Sequence, residues 1–247
     1  MTSIIHQNKT GMRIAIIPAR GGSKRIPRKN IKLFCDKPII AYSIEAARRS
    51  TLFDRIIVST DDDEIADIAR KWGAEVPFMR PQNLADDYTS TMDVIKHAIL
   101  WLNQNDAVYS HVCCIYPTAP FIRIADLKKG YALLNNKNVN FAFPITTFPS
   151  SIFRALKLSH QHQINMFWPE HQNTRTQDLP EAYHDVGQFY WGKADAFLRN
   201  DPIFKEHSSP VIIPRYLAHD IDTPEDWKQA ELFYQTLHPQ NRQMNRQ

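Results

Sequence analysis

Apolar positions along the chain change their period in a regular order. Arg13 to Pro18 is a short unbroken apolar run, the pattern of a strand buried on both faces of a parallel sheet. Residues 19–37 follow with Gly, Pro and basic residues and no periodicity, which predicts a loop. Ile40, Ile44 and Ala47 stand four and three apart, predicting a helix over 38–50. Arg55 to Thr60 reads as a β-branched strand, and Ile65, Ile68, Ala69 and Trp72 as a second helix stopped by Gly73. Met92, Ile95, Ile99 and Leu102 mark a third helix behind a Ser/Thr cap at Thr89–Thr91. A strand at 112–116, a helix at 124–135 and a strand at 141–145 continue the alternation. Strands and helices in turn predict an α/β fold, a mainly parallel central sheet covered on both faces.

The rhythm then breaks. Residues 146–185 are rich in Pro, Gln, His and Asn, with short apolar runs at 152–158 and 164–168. They read as an insertion, a small β-arm beside the site. Regular structure resumes with a strand at 186–191, a helix at 193–200 and a strand at 211–213. The closing helix, 224–237, is amphipathic through Trp227, Ala230, Phe233, Tyr234 and Leu237. One domain over 1–238, with this insertion and a polar tail at 239–247, accounts for the pattern.

Charge changes the picture more than composition does. The 247 residues carry 30 Lys and Arg against 26 Asp and Glu, a formal net charge of +4. The first 35 residues hold eight of those bases and no acid, so residues 36–247 carry 22 bases against 26 acids. A chain with an acidic body is a poor coat for nucleic acid or anionic lipid. No apolar run approaches the ~18 residues of a membrane span, and Met1 to Gly11 lacks the apolar segment of a secretory signal. Cys35, Cys113 and Cys114 are odd in number and lack zinc or disulfide spacing, which points to a reducing cytoplasm.

Two of the seven glycines, Gly21 and Gly22, sit inside the basic stretch. In an open α/β sheet, ligands bind beyond the carboxyl ends of the strands, where this loop lies. Adjacent glycines let backbone N–H groups approach an oxyanion, and Arg20, Ser23, Lys24, Arg25 and Lys29 add donors and charge for several phosphates. The spacing is neither that of a Walker loop nor Gly-x-Gly-x-x-Gly. A solvated basic loop is the plain alternative. A single-strand nucleic-acid patch is weaker, because no aromatic platform is interleaved.

The segment Ile17-Pro-Ala-Arg-Gly-Gly-Ser-Lys-Arg-Ile-Pro-Arg-Lys-Asn30 resembles the signature loop of the CMP-sugar synthetases, the acylneuraminate cytidylyltransferase family. The resemblance continues through Val58-Ser-Thr-Asp61, Arg80-Pro-x-x-Leu-Ala-Asp-Asp87, Tyr116-Pro-Thr-Ala-Pro120 and Asp220-Ile-Asp-Thr223, in family order. Tyr-Pro-Thr-Ala-Pro and Arg175-Thr-Gln-Asp-Leu-Pro-Glu-Ala-Tyr-His184 resemble most the branch that uses pseudaminic acid. The resemblance implies a Rossmann-like three-layer nucleotidyltransferase whose insertion makes a homodimer. It implies that Arg20, Gly21, Gly22, Ser23, Lys24 and Lys29 hold the CTP triphosphate, Asn30 the nucleotide near its sugar and base, and Arg80 and Thr91 the cytosine. Arg80 also reads as a turn residue before Pro81.

The implied reaction is attack of a sugar acid's anomeric hydroxyl on the α-phosphorus of CTP, with Arg20, Lys29, Asp220 and Asp222 carrying the chemistry. Asp220 and Asp222 stand two apart and, if extended, point to one side as a Mg²⁺ pair. Locally they also precede a helix start, with Thr223 as cap and Pro224 at the first position. Asp61 to Asp63 reads as structural, Asp61 with Glu64 forming a capping arrangement. Tyr116 replaces a Gln, and Ala119 a Ser, found in sialic acid synthetases, which favours another nonulosonic acid over N-acetylneuraminate. Tyr116, Thr118, Arg175, Tyr183, His184 and Gln188 are the candidate sugar-acid readers. Legionaminic, N-acetylneuraminic and ketodeoxyoctonic acids remain alternative acceptors, and a non-catalytic nucleotide binder an alternative function.

Overall fold

The computed structural model describes residues 11–239; the readings made on the N-terminal segment before Gly11 and on the tail after Pro239 lie outside them. The first apolar run forms strand β1, Arg13–Pro18, whose side chains alternate between two cores. Ala15 and Ile17 belong to one, Ile14 and Ile16 to the other, so the strand is sealed on both faces. After the loop come two short strands, β2 Leu33–Phe34 and β3 Lys37–Pro38, then helix α1 Ile39–Ser50. Strand β4 Arg55–Ser59, helix α2 Asp63–Lys71, helix α3 Thr91–Asn105, strand β5 His111–Ile115 and helix α4 Ile124–Leu133 follow as the periodicity predicts. Ser90 caps α3 by accepting from the Asp93 N–H.

Strand β6, Phe141–Thr147, runs two residues past its predicted end. The arm then forms a hairpin, β7 Leu156–Leu158 against β8 Ile164–Met166, with Leu156, Leu158 and Ile164 exposed. Its last residues, β9 Tyr183–Asp185, return to pair antiparallel with β6. The strand predicted over 186–191 is β10, Phe189–Lys193; Gly187, at φ +64°, turns the chain just before it. Helix α5 Ala194–Leu198, strand β11 Ser208–Ile212 and helix α6 Pro224–Leu237 complete the chain.

The main sheet has the order β11-β6-β10-β5-β1-β4. β1 pairs in parallel with β4 and β5, and β11 in parallel with β6. β10 runs antiparallel between β5 and β6, so five strands share one direction, and β10 and the short β9 on β6 oppose them. Helices α1, α2, α4 and α6 cover one face and α3 and α5 the other, a three-layer arrangement. From β1 the chain moves outward to β4, then crosses back to β5 on the other side of β1. That reversal opens a crevice beyond the carboxyl ends of β1 and β5. Among the described residues no helix is long and apolar enough to cross a membrane.

Candidate active site

The crevice is a cleft of about 590 Å³. Its floor is the loop after β1, its far wall Tyr116, Pro117 and Thr118 after β5, and its rim Arg80 and the 84–91 turn. The loop is braced from within. Ala19 N–H donates to Ser59 O at 2.9 Å, the Asn30 amide donates to Arg20 O at 2.9 Å, and Ile26 is buried beneath. Asn30, expected at the nucleotide, lines the cleft while its side-chain nitrogen holds the loop backbone.

The acids at the start of α2 do more than cap it, and their roles differ from the sequence reading. Asp62, not Asp61, is the N-cap, accepting from Ile65 N–H at 3.0 Å. Asp61 reaches across to the loop, accepting the Gly21 N–H at 3.0 Å. Asp62 also takes both Arg28 nitrogens, at 2.5 and 2.9 Å, and Glu64 takes the second at 2.5 Å. Arg28 itself lies in the left-handed region, φ 54°, which is uncommon for a non-glycine residue, and its side chain is fixed there by these bonds. The Arg28 guanidinium holds the Asp62 carboxyl below the usual carboxylate range.

The six bases at 20–32 therefore divide. Arg28 is committed to Asp62, and the Lys32 ammonium lies 4.5 Å from the Trp227 ring centre. Arg20, Lys24, Arg25 and Lys29 line the cleft. Each of the four meets a carboxylate of the same chain. Asp87 bridges Arg20, at 2.8 Å, and Lys24. Asp222 bridges Arg25, at 2.8 Å, and Lys29, at 3.1 Å. Asp87 closes the Arg80–Asp87 motif, in which the sequence reading gave a role to Arg80 alone; its signal was the acidic pair that ends the motif.

Arg80 is 5% exposed, with its Nε on Ser59 Oγ at 3.1 Å and an Nη on Ser59 O. Among the described residues no carboxylate pairs with it, and burial pushes its guanidinium down to about 10. The Asp61 charge offsets that burial only in part and the Arg20 charge opposes it, which suits Arg80 to a polar ligand atom in the cleft. Thr91 Oγ1 and the Tyr116 hydroxyl stand 3.3 Å apart across the cleft, and burial raises the Tyr116 phenol.

Asp220 and Asp222 flank the buried Ile221 before α6. The helix start is closed without them: Thr223 and Asp226 form a reciprocal capping box, and Asp222 enters it only through its backbone N–H. Asp220 is open to solvent on one side, yet the protein packed beside it, and then the Asp222 charge, raise its carboxyl above the usual range.

The remaining candidates are dispersed. Arg175 is exposed on the arm and paired with Asp178 at 2.7 Å. Tyr183 donates to Glu181 at 2.5 Å, and the His184 ring packs on Phe148 and bonds Asp185 O at 2.9 Å. Gln188 is buried, its side-chain amide donating to Leu217 O at 2.7 Å, and its backbone carbonyl receives the Tyr116 N–H. None of these four lines the cleft within one chain.

With the site described, its relatives can be placed. The chain matches the cytidylyltransferase family over residues 14–242. It is 48% identical over 225 residues to the pseudaminic acid cytidylyltransferase of Campylobacter jejuni subsp. jejuni serotype O:23/36 (strain 81-176), covering 91% of this chain and 97% of that protein. It is 34% identical over 227 residues to the CMP-N,N'-diacetyllegionaminic acid synthase of Legionella pneumophila subsp. pneumophila (strain Philadelphia 1), covering 88% and 94%. The solved structure of a CMP:2-keto-3-deoxy-manno-octonic acid synthetase complexed with CTP superposes with a TM-score of 0.65 over 92% of this chain and 99% of that one. At 16% identity that likeness speaks to the fold alone. Because the matched span runs from β1 through the phosphate-type loop to the end of α6, this chain belongs to the cytidylyltransferase family of nucleotidyltransferases.

Proposed function

We propose that the chain transfers CMP from CTP to the anomeric hydroxyl of pseudaminic acid and releases pyrophosphate. The observation that carries this reading is 48% identity, over nearly the full length of both chains, to a pseudaminic acid cytidylyltransferase. The cleft has the matching chemistry. Arg20, Lys24, Arg25 and Lys29 neutralise the triphosphate and the charge that grows on the leaving pyrophosphate, with Ser23 as a neutral donor; the Gly21 N–H is taken by Asp61 and, with Gly22, shapes the loop from outside the cleft lining. Arg80 and Thr91 meet the cytosine, where a pyrimidine carbonyl adds an acceptor to the Ser59 bonds of the buried Arg80 cation. Tyr116 and Thr118 stand where the acceptor enters. Such a transfer rests on positioning and charge neutralisation, and no dedicated general base is assigned.

Asp220 and Asp222 fit a Mg²⁺ ion: two hard carboxylates, two residues apart, each opposing the other's charge. Among the described residues no group of three or more metal-binding side chains gathers anywhere. The pair would therefore share the ion with phosphate oxygens and water, as Mg²⁺ prefers. When bound, the ion supplies Lewis acidity toward the phosphate and the attacking hydroxyl. Lys29 and Arg25, now on Asp222, are then released toward the triphosphate.

We further place the enzyme in the cytoplasm with its CTP, as a homodimer joined through the arm, whose exposed Leu156, Leu158 and Ile164 need a cover. The test is pyrophosphate release from CTP and Mg²⁺ with pseudaminic, legionaminic, N-acetylneuraminic and ketodeoxyoctonic acids. The expected result is a kcat/KM for pseudaminic acid at least about tenfold above the others, about 1.4 kcal/mol of discrimination. A higher value with another acid reassigns the acceptor.

A further inference from the structure

We propose that Asp87 is an internal stand-in for the terminal phosphates of the nucleotide, released from Arg20 and Lys24 when CTP binds, so that it sets CTP affinity. The inference rests on the CTP reading above. Four features of the geometry carry it. First, both Asp87 oxygens are used: Oδ1 lies 2.8 Å from Arg20 and Oδ2 meets Lys24. Second, the pair lies inside the cleft, on two of its five lining bases. A carboxylate bridging two such cations makes the charge-assisted bonds that a phosphate oxygen pair would make.

Third, Asp87 has no other side-chain partner among the described residues. Its turn is held by its neighbour: Asp86 accepts from Thr89 N–H at 2.7 Å, from Tyr88 N–H at 3.0 Å and from the Thr89 hydroxyl at 2.7 Å. The Asp87 side chain is free to swing into water, being 34% exposed. Fourth, Arg20 has a second anchor, donating to Asp86 O at 2.7 Å. When Asp87 leaves, the guanidinium stays in place for the incoming anion. Asp222 pairs with Arg25 and Lys29 in a similar way, but it has the separate role assigned above.

A competing internal anion lowers apparent affinity by the fraction of molecules in which it occupies the cations. The ion pairs are partly exposed, so the effect is a few-fold and not thousands-fold. Calorimetric titration of Asp87→Asn with CTP, inorganic pyrophosphate and CMP, in one Mg²⁺ buffer and without sugar acid, tests it. CTP and pyrophosphate bind about three- to tenfold more tightly than to wild type, while CMP, which lacks the terminal phosphates, binds as before. In a Lys24→Met background the gain from Asp87→Asn shrinks, because one of the two released cations is gone. Asp87→Ala repeats the measurement should the asparagine side chain make new bonds. Unchanged or weaker CTP binding in both variants overturns the inference, and so does an equal gain for CMP, which marks a general field effect. Wild-type protein that does not bind CTP at all sinks the nucleotide reading itself, a result separable from the other two.

Discussion

The loop after β1 is neutralised by two sets of acids that behave differently. At the start of α2, Asp62 has three partners at once: the Ile65 N–H that it caps and the two nitrogens of Arg28. Asp61 fixes the Gly21 backbone next to it. On the opposite side Asp87 and Asp222 each bridge two cleft bases and have no other side-chain partner among the described residues. The same ion-pair chemistry therefore builds a frame in one place and a set of exchangeable counter-ions in the other. What separates them is whether the carboxylate also accepts a backbone N–H, as Asp61 does from Gly21 and Asp62 from Ile65. On the proposed reading, the frame acids stabilise the fold and the exchangeable ones hold cations in readiness for the nucleotide.

Substitutions can break that division, and the largest effect falls on the exchangeable side. Asp222→Asn is expected to lower CMP transfer by at least about 100-fold, in the range set by loss of a metal ligand at a phosphoryl-type centre. Its thermal midpoint should stay within about 2 °C of wild type, since Thr223 and Asp226 close the helix start without the Asp222 side chain. Near wild-type turnover with Mg²⁺ would refute the metal role, and a large drop in midpoint would refute the division itself.

Next in size is the frame. A Cβ at Gly21 would lie 2.7 Å from Asp62 Oδ2 and 3.1 Å from Asp62 Cβ. Because Asp62 is pinned by its cap and by Arg28, it cannot give way cheaply. Gly21→Ala should cost about 1–3 kcal/mol in urea denaturation and weaken CTP binding by displacing the loop. A neutral result would mean that the clamp is soft. Arg28→Lys keeps the charge but cannot make the forked bond to Asp62, and its expected cost, discounted for partial exposure, is about 1 kcal/mol. No measurable loss there would place Arg28 with the exchangeable bases.

Much of this was visible in the chain before folding, and the failures have a common cause. β1, β4, β5 and β6 were readable because a strand buried on two faces must be apolar throughout, as in Ile14 to Ile17. The direction of β10 was not: Phe-Tyr-Trp-Gly-Lys looks the same parallel or antiparallel, and the return of the chain from the arm decides it. The basic loop announced itself by charge and paired glycines. Which bases face the cleft did not, because their partners stand at positions 62, 87 and 222. Arg28 and Lys32 read like Arg20 and Lys29 until Asp62 and Trp227 are brought beside them. The exchange of roles between Asp61 and Asp62 has the same origin, since only the folded loop brings the Gly21 N–H within reach of Asp61.

The smallest effect is also the most specific test of the frame, and it lies in pH. Arg28 holds the Asp62 carboxyl below its unfolded value, which is about 3.9 for an aspartate. A carboxyl depressed by folding contributes its full stability above the unfolded value and loses it as the pH falls through the folded one. Asp62→Asn removes the charge but keeps a good N-cap, so the helix start is preserved while the pair with Arg28 is lost. The stability gap between wild type and Asp62→Asn should therefore be constant from pH 7 to about pH 5, narrow below about pH 4 and close under acid conditions where both forms are uncharged. Arg28 stays protonated throughout, so no opposing titration arises from its side of the pair. Urea midpoints measured across pH 7 to 3 check this. A gap that persisted unchanged into acid would show that Asp62 acts through its cap or its shape, and the frame would then owe nothing to charge.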